Sequence, residues 1–254
     1  MSINDFILKV KRGKGPFYRT LHSVAKGIVQ PRNPRIPRLL KPPLRLLYEF
    51  HFLVIIFGRL LAGLLYRNPL FQSRCASVGK NLCLEGLPYV SGHVEVHVGD
   101  DVWLGGKIVI LSGRIHDNPK VVIGNNSQLG WNVSISVCKE VIIEDNVRVS
   151  FDCRIADADG HPREADLRAA HMPPKLEDIR PVRICRNAWI GNGTHILKGV
   201  TIGEGAIIGA NSVVMSSVPP YSLAVGNPAR VYLKDFGLPS TAAPAPDPAQ
   251  QPAT

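Results

Sequence analysis

From residue 78 onward an aliphatic side chain returns every six residues, in triplets: Val78, Leu84, Val90; Val98, Leu104, Ile110; Ile123, Leu129, Ile135; Ile143, Val149, Ile155; Ile184, Ile190, Ile196; and Ile202, Ile208, Val214. All 18 positions are Val, Leu or Ile, and a Gly, small or acidic residue usually follows, as at Gly79, Gly99, Gly105, Gly191 and Gly209. A helix repeats at about 3.6 residues and a strand at about 2, so neither alone has a use for a period of six. A coil with three short flat faces does. Each face needs one inward aliphatic and each corner a small residue. The pattern predicts an all-β fold, a parallel β-helix of about six coils over residues 78–217, with residues 218–237 as its C-terminal cap.

The spacing of the coils marks one place that departs from the pattern. Coil starts at 78, 98, 123, 143, 184 and 202 give steps of 20, 25, 20, 41 and 18 residues. A regular coil takes about 18. Roughly 23 extra residues therefore leave the stack between Gly160 and Ile184. Insertions in a solenoid become surface loops and often carry function. This one, residues 161–183, holds two His, several charges and four Pro, so it is expected to be exposed and conformationally restricted.

Ahead of the repeats the pattern changes. Leu44 to Tyr66 is mostly apolar, and on a helical wheel Arg45, Glu49, Arg59 and Arg67 fall within about 80° of one another. Residues 44–74 thus read as an amphipathic helical extension, and residues 1–43 as a basic, Pro-rich arm. The net charge of +10 is uneven: residues 1–74 carry 14 Lys or Arg against two acids, Asp5 and Glu49. The rest of the chain is close to neutral. An apolar helix behind a cationic arm fits peripheral contact with an anionic membrane through residues 1–74, at the cytoplasmic face. Packing of the helix on the solenoid or on a neighbouring subunit is the alternative. Arg59 argues against a full span, and the apolar run inside the basic region argues against nucleic acid as partner.

Five Cys at irregular spacing give neither a disulfide framework nor a CxxC zinc site. Cys153 and Cys185 read as packing residues in a reduced, cytoplasmic setting. The first 20 residues lack the apolar core of a signal peptide. His93 and His97 stand four apart, yet no third ligand follows at a useful spacing, so no metal site is predicted. Gly203, Gly205 and Gly209 mimic a dinucleotide loop but are in phase with the hexapeptides and lack strand-turn-helix context. Residues 238–254, rich in Pro and Ala, read as a disordered tail.

Two stretches resemble a known family. The segment from Ile184 to Val231, containing WIGNG, IIGAN and GNPAR, resembles the last coils of hexapeptide-repeat acyltransferases. The segment from Trp131 to Pro162 resembles the coil and catalytic loop of their maltose and galactoside O-acetyltransferase branch, with similarity to polysaccharide O-acetyltransferases as well. The resemblance covers about residues 78–233. It implies a left-handed β-helix, a homotrimer with active sites between subunits, acetyl-CoA as donor substrate and a carbohydrate as acceptor.

His161, in the GHP motif, stands at the family's catalytic position. Imidazole, with an ordinary pKa of about 6.5, suits removal of a proton from a sugar hydroxyl as it attacks a thioester. Asp157 and Asp159 are candidates to orient it, and His171 is a candidate for the acceptor side. Where the family often has an Asn this chain has Gly130, so the corresponding hydrogen bond is either lost or supplied by Asn132. Where the family has an acceptor-binding Asp this chain has Cys138. Simple maltose or galactoside specificity is therefore not implied. On the donor side the resemblance assigns Trp189, Gly191, Asn192, Ala210 and Arg230. Met215 and Ser216 replace the family's Thr-Lys, with Lys198 or Lys234 as substitute cations. The expected function is O-acetyl transfer to a sugar hydroxyl of a surface-polysaccharide or glycolipid precursor. Sugar or antibiotic N-acetylation is the alternative enzyme, and a non-catalytic β-helical scaffold the alternative of another class.

Overall fold

Three parallel sheets form because the inward aliphatics of successive turns stack directly on one another. In a computed structural model the chain is described over residues 3–13, 15–29, 36–113 and 115–236. The predicted tail, residues 238–254, and much of the Pro-rich stretch from Gln30 lie outside these. The chain divides into Met1–Ile56 and Phe57–Thr254.

Sheet A runs through Ser77–Val78, Glu95–Val98, Lys120–Ile123, Glu140–Ile143, Val182–Ile184 and Thr201–Ile202. Sheet B begins at Cys83–Leu84 and sheet C at Tyr89–Ser91, and each takes one strand from every turn of the chain. The hexapeptide register is the observed one. In sheet A, Val78 pairs Val98, Val98 pairs Ile123, Ile123 pairs Ile143, Ile143 pairs Ile184 and Ile184 pairs Ile202. The same ladders hold from Leu84 to Ile208 in sheet B and from Val90 to Val214 in sheet C. Of the inward aliphatics, only Val78 and Val90 in the first turn are less than buried, and both pack against the core. Each fully buried side chain of this kind contributes about 1.5–3 kcal/mol.

The corners obey a second rule that the period of six conceals. The residue three places after the inward aliphatic takes a left-handed conformation: Asn126, Asn146 and Asn187 between sheets A and B, and Lys107, Asn132, Asp152 and Asn211 between sheets B and C. Asn and Asp tolerate this conformation better than other non-glycine residues. Their side chains also link successive turns. Asn126 Nδ2 donates to Asn146 Oδ1 at 2.8 Å, and Asn132 Nδ2 to Asp152 Oδ1 at 2.7 Å. Glycines follow the inward aliphatics because the turns stack too closely for a side chain. A Cβ on Gly191 would come within 2.7 Å of the Ala210 amide nitrogen.

Both ends of the solenoid are closed. At one end, helix Asn68–Arg74 inserts Phe71, 1% exposed, into the core. Arg74 Nη2 donates to the Gly92 carbonyl at 2.6 Å and Arg67 Nη1 to that of Glu85 at 2.6 Å, stapling the helix to the first turn. At the other end, Leu223–Gly226 and Ala229–Leu233 form an antiparallel hairpin on the edge of sheet B. Such closure is what keeps a repeat stack from exposing its core.

The first 43 residues are more regular than the basic arm expected from composition. They contain helices at Ile3–Arg12 and Pro16–Val29. Ile3, Phe6, Ile7 and Val10 recur at helical spacing, Gly13 closes the first helix at φ +57°, and Pro16 opens the second. Phe6 meets Tyr18 edge-on at 6.1 Å between ring centroids. The next helix starts at Lys41, ahead of the expected Leu44, because Pro42 and Pro43 fall in its first turn where their missing N–H groups cost nothing. It runs to Ala62 and continues through a π-type turn, Gly63–Arg67, into Asn68–Arg74.

Candidate active site

The long insertion leaves the corner between sheets C and A and closes on itself. Its base is shut by backbone hydrogen bonds, from the Arg180 N–H to the Asp157 carbonyl and from the Gly199 N–H to the Arg180 carbonyl, each 2.9 Å. The excursion therefore begins at Asp157 and returns at Arg180, a few residues ahead of the 161–183 bounds read from spacing. A short helix, Ala165–Ala169, forms inside it. Arg163 pairs with Asp178 at 3.2 Å, Lys175 pairs with Glu164, and Arg168 Nη1 donates to the Pro162 carbonyl at 3.1 Å. Pro162, Pro174 and Ile179 are buried. The loop thus has buried side chains and ion pairs of its own, which help it hold a shape without strand partners.

His161 is exposed at the start of this loop. Neither acidic neighbour orients it. Asp157 is fully buried and turns its carboxylate to the preceding coil. Oδ1 accepts the Cys138 N–H at 2.7 Å, and Oδ2 accepts those of Lys139 and Glu140 at 2.6 and 2.8 Å. Burial raises the pKa of Asp157 above the usual carboxylate range, while the three amides pull it the other way. Asp159 is held at 2.5 Å by Lys198 Nζ. Both carboxylates are thus engaged at the loop root, Asp157 by backbone amides and Asp159 by Lys198. His171, also exposed, has a left-handed backbone at φ +54°.

The predicted donor residues fall mostly at another corner. Trp189 projects from sheet B, 52% exposed, with Nε1 3.3 Å from Ser150 Oγ. Gly191 and Asn192 follow it, and the next turn sets Ala210 directly beside them; the Asn211 N–H donates to the Asn192 carbonyl at 2.7 Å. The terminal hairpin then lays Val225 against Gly209 and pairs Val225 with Arg230, whose side chain is exposed. Trp189, Gly191, Asn192, Ala210 and Arg230 therefore share one stretch of surface. Gly191 is required there by coil stacking whatever it binds.

Met215 and Ser216, both exposed, lie beyond strand Val213–Val214, at the corner that carries the His161 loop. Lys198 is committed to Asp159 and is not a free substitute for the missing family cation. Asn132 lies at the corner between sheets B and C, and strand Ser134–Val137 separates it from the corner of His161. Its left-handed backbone and its bond to Asp152 give it a packing role in addition to any contact with substrate. Cys138 is buried and free, and burial raises its thiol pKa. A groove of about 500 Å³ at the corner between sheets A and B, lined by Glu144, Cys185, Arg186 and Glu204, contains none of the predicted site residues. The residues missed by pattern reading are Lys198 as the partner of Asp159 and Asn/Asp at the third corner place. The latter recurrence was visible in the sequence.

A solenoid of hexapeptides with a GHP loop and a small-residue corner under an exposed Trp defines a class of transferase. Residues 181–215 match the model of the bacterial transferase hexapeptide family (six repeats). "Putative acetyltransferase SACOL2570" of Staphylococcus aureus (strain COL) is 39% identical over 144 residues, 49% of this chain and 66% of that protein. Its counterpart SAR2635 in strain MRSA252 is 38% identical over 146 residues, 50% of this chain and 67% of that protein. The galactoside O-acetyltransferase of Escherichia coli (strain K12) is 29% identical over 186 residues, 69% of this chain and 77% of that enzyme. The solved structure of AntD, an N-acyltransferase from Bacillus cereus in complex with dTDP and 3-hydroxybutyryl-CoA, shares the fold at 21% identity and a TM-score of 0.50, over 65% of this chain and 85% of that one. The chain belongs to the hexapeptide-repeat transferase family, and it spans about two thirds of the length of the putative acetyltransferases it matches.

Proposed function

We propose that this protein is an O-acetyltransferase that moves the acetyl group of acetyl-CoA to a sugar hydroxyl of a surface-polysaccharide or glycolipid precursor. The observation that carries this reading is the placement of His161: an exposed imidazole at the root of a loop that is closed at its base and tied to the solenoid through Asp157 and Asp159. The solenoid is the left-handed form, of six coils, and it works as a homotrimer. Within one chain the donor corner and the His161 corner lie at opposite edges of sheet C. A neighbouring subunit brings the two kinds of corner together, and Asn132 reaches an acceptor in the same way.

In the reaction, the His161 imidazole takes the proton of the acceptor hydroxyl as its oxygen attacks the thioester carbonyl. The carbon–sulfur bond breaks, and the imidazolium returns the proton to the departing thiolate. The products are the acetyl ester and free CoA thiol, with no acyl-enzyme. Trp189 and the small surface at Gly191 and Ala210 accept the pantetheine arm, Asn192 offers an amide to it, and Met215 and Ser216 flank its far end. Arg230 supplies a planar cation for phosphate oxygens.

The test is thiol release from acetyl-CoA against glycan acceptors, with donor binding followed by calorimetry. His161→Ala should lower turnover by about 10²–10⁴-fold while leaving donor binding intact. Full turnover by His161→Ala on an amine-bearing sugar would replace the reading with N-acetylation. A folded protein that does not bind acetyl-CoA would point instead to a scaffold.

A further inference from the structure

Among the described residues, the longest helical run is exposed over most of its length. Arg38–Arg74, 37 residues, is long and apolar enough by composition to cross a membrane, and no residue of its segment Lys41–Ala62 is buried. Leu46, Leu53, Phe57 and Leu60 are 73%, 63%, 61% and 67% exposed. A soluble protein rarely leaves an apolar surface of this extent uncovered.

The distribution of side chains around the helix says what covers it. At about 100° per residue, Arg45, Glu49 and Arg59 fall in one stripe of about 80°, which Phe52 and Ile56 share, and apolar side chains fill the rest of the circumference, Leu46, Phe50, Leu53, Phe57 and Leu61 forming an arc clear of the charges. Between Glu49 and Arg59 only nine residues pass without a formal charge, and a span needs about 20. The geometry suits a helix lying along an interface. Charge selects the kind of interface. Residues 1–74 carry a net +12, and the two helices before this one expose apolar residues such as Ile3 and Phe17 beside their Lys and Arg. Whether the chain is single or assembled, the excess positive charge of this segment is drawn to an anionic surface.

We infer that residues 1–74 are a membrane-surface anchor, with the Arg38–Ala62 stretch embedded in the plane of an anionic bilayer and the preceding cations on its phosphate headgroups. Apolar burial and charge act as two signals, the combination that stable peripheral anchoring requires. This inference stands apart from the acetyl-transfer reading, because it uses none of the residues assigned to catalysis or donor binding.

The experiment is co-sedimentation of the full chain with vesicles of phosphatidylcholine, alone or mixed with phosphatidylglycerol, at low and high salt. Binding should require the anionic lipid, weaken with salt, and fall about tenfold or more in Leu53→Glu/Phe57→Glu. Both positions are exposed, so the variant should keep its thermal unfolding midpoint, which checks that lost binding is not lost folding. Bound protein should be released by alkaline carbonate. Resistance to carbonate would overturn the interfacial placement in favour of a span. Failure to bind anionic vesicles would overturn the anchor altogether. If self-association in lipid-free solution is then abolished by the same variant, the arc's partner is a second copy of this chain.

Discussion

Lys198 places its ammonium 2.5 Å from the Asp159 carboxylate, joining the turn after sheet C to the loop root two residues before His161. The lysine is 11% exposed and the carboxylate 47%, so the pair is shielded on the lysine side and open to solvent on the other. It fixes where the loop starts and thereby where the imidazole sits. Asp159→Asn keeps the side-chain shape and removes the charge. We expect kcat to fall about 3–10-fold with KM for acetyl-CoA unchanged, the mark of a mispositioned base and not of lost binding. An unchanged kcat would show that the pair has no part in placing His161.

Asp157 does a different job beside it. Its two oxygens satisfy three backbone N–H groups at the Cys138–Glu140 corner, in the interior. Asp157→Asn puts an NH₂ donor against amide donors and leaves at least one of them unsatisfied. The cost should be about 1–3 kcal/mol, read as a lower midpoint in denaturant at unchanged slope. Activity should decline with this loss of stability, since the corner also carries the loop.

Ala210 tests the donor surface. Its side chain is exposed beside Gly191, so a larger group there projects onto the surface without entering the core. Ala210→Trp should leave the thermal midpoint near that of the parent and weaken acetyl-CoA binding about 100-fold or more, measured by calorimetry. Unaltered binding would move the pantetheine path away from this corner.

The cysteines give a pH-dependent prediction. Burial pushes the Cys75 thiol up to about 11, and the thiols of Cys83, Cys138, Cys153 and Cys185 are also raised. Thiolate is the reactive form, so at pH 8 the folded chain should react with an alkylating agent far more slowly than the denatured chain. The sign for stability follows. The folded state holds the Cys75 proton more tightly than the unfolded state does, so this contribution is complete below about pH 9 and is lost as pH rises through about 11. Mass spectrometry of alkylated peptides across that range would follow both effects.

The sequence by itself determined the solenoid, down to register. Every inward aliphatic from Val78 to Val214 pairs with its counterpart in an adjacent turn. A repeat transmits its geometry from one turn to the next, so local spacing is also long-range contact. The loop was legible as a break in that spacing, and His161 through its motif. Only the tertiary structure decided what the acids around His161 do. Asp157 and Asp159 look alike in sequence, yet one faces the amides of a turn 17–19 residues earlier and the other a lysine 39 residues later. Which corner each candidate occupies was likewise hidden, because Asn132 and Met215 are close to the site in the motif but lie at different edges of sheet C. Helical order in the first 43 residues was obscured by their charge, which hides a short apolar periodicity from a reading of composition. Periodicity reports which side chains point inward; it carries no information on which outward side chains meet, and the chemistry is done by those.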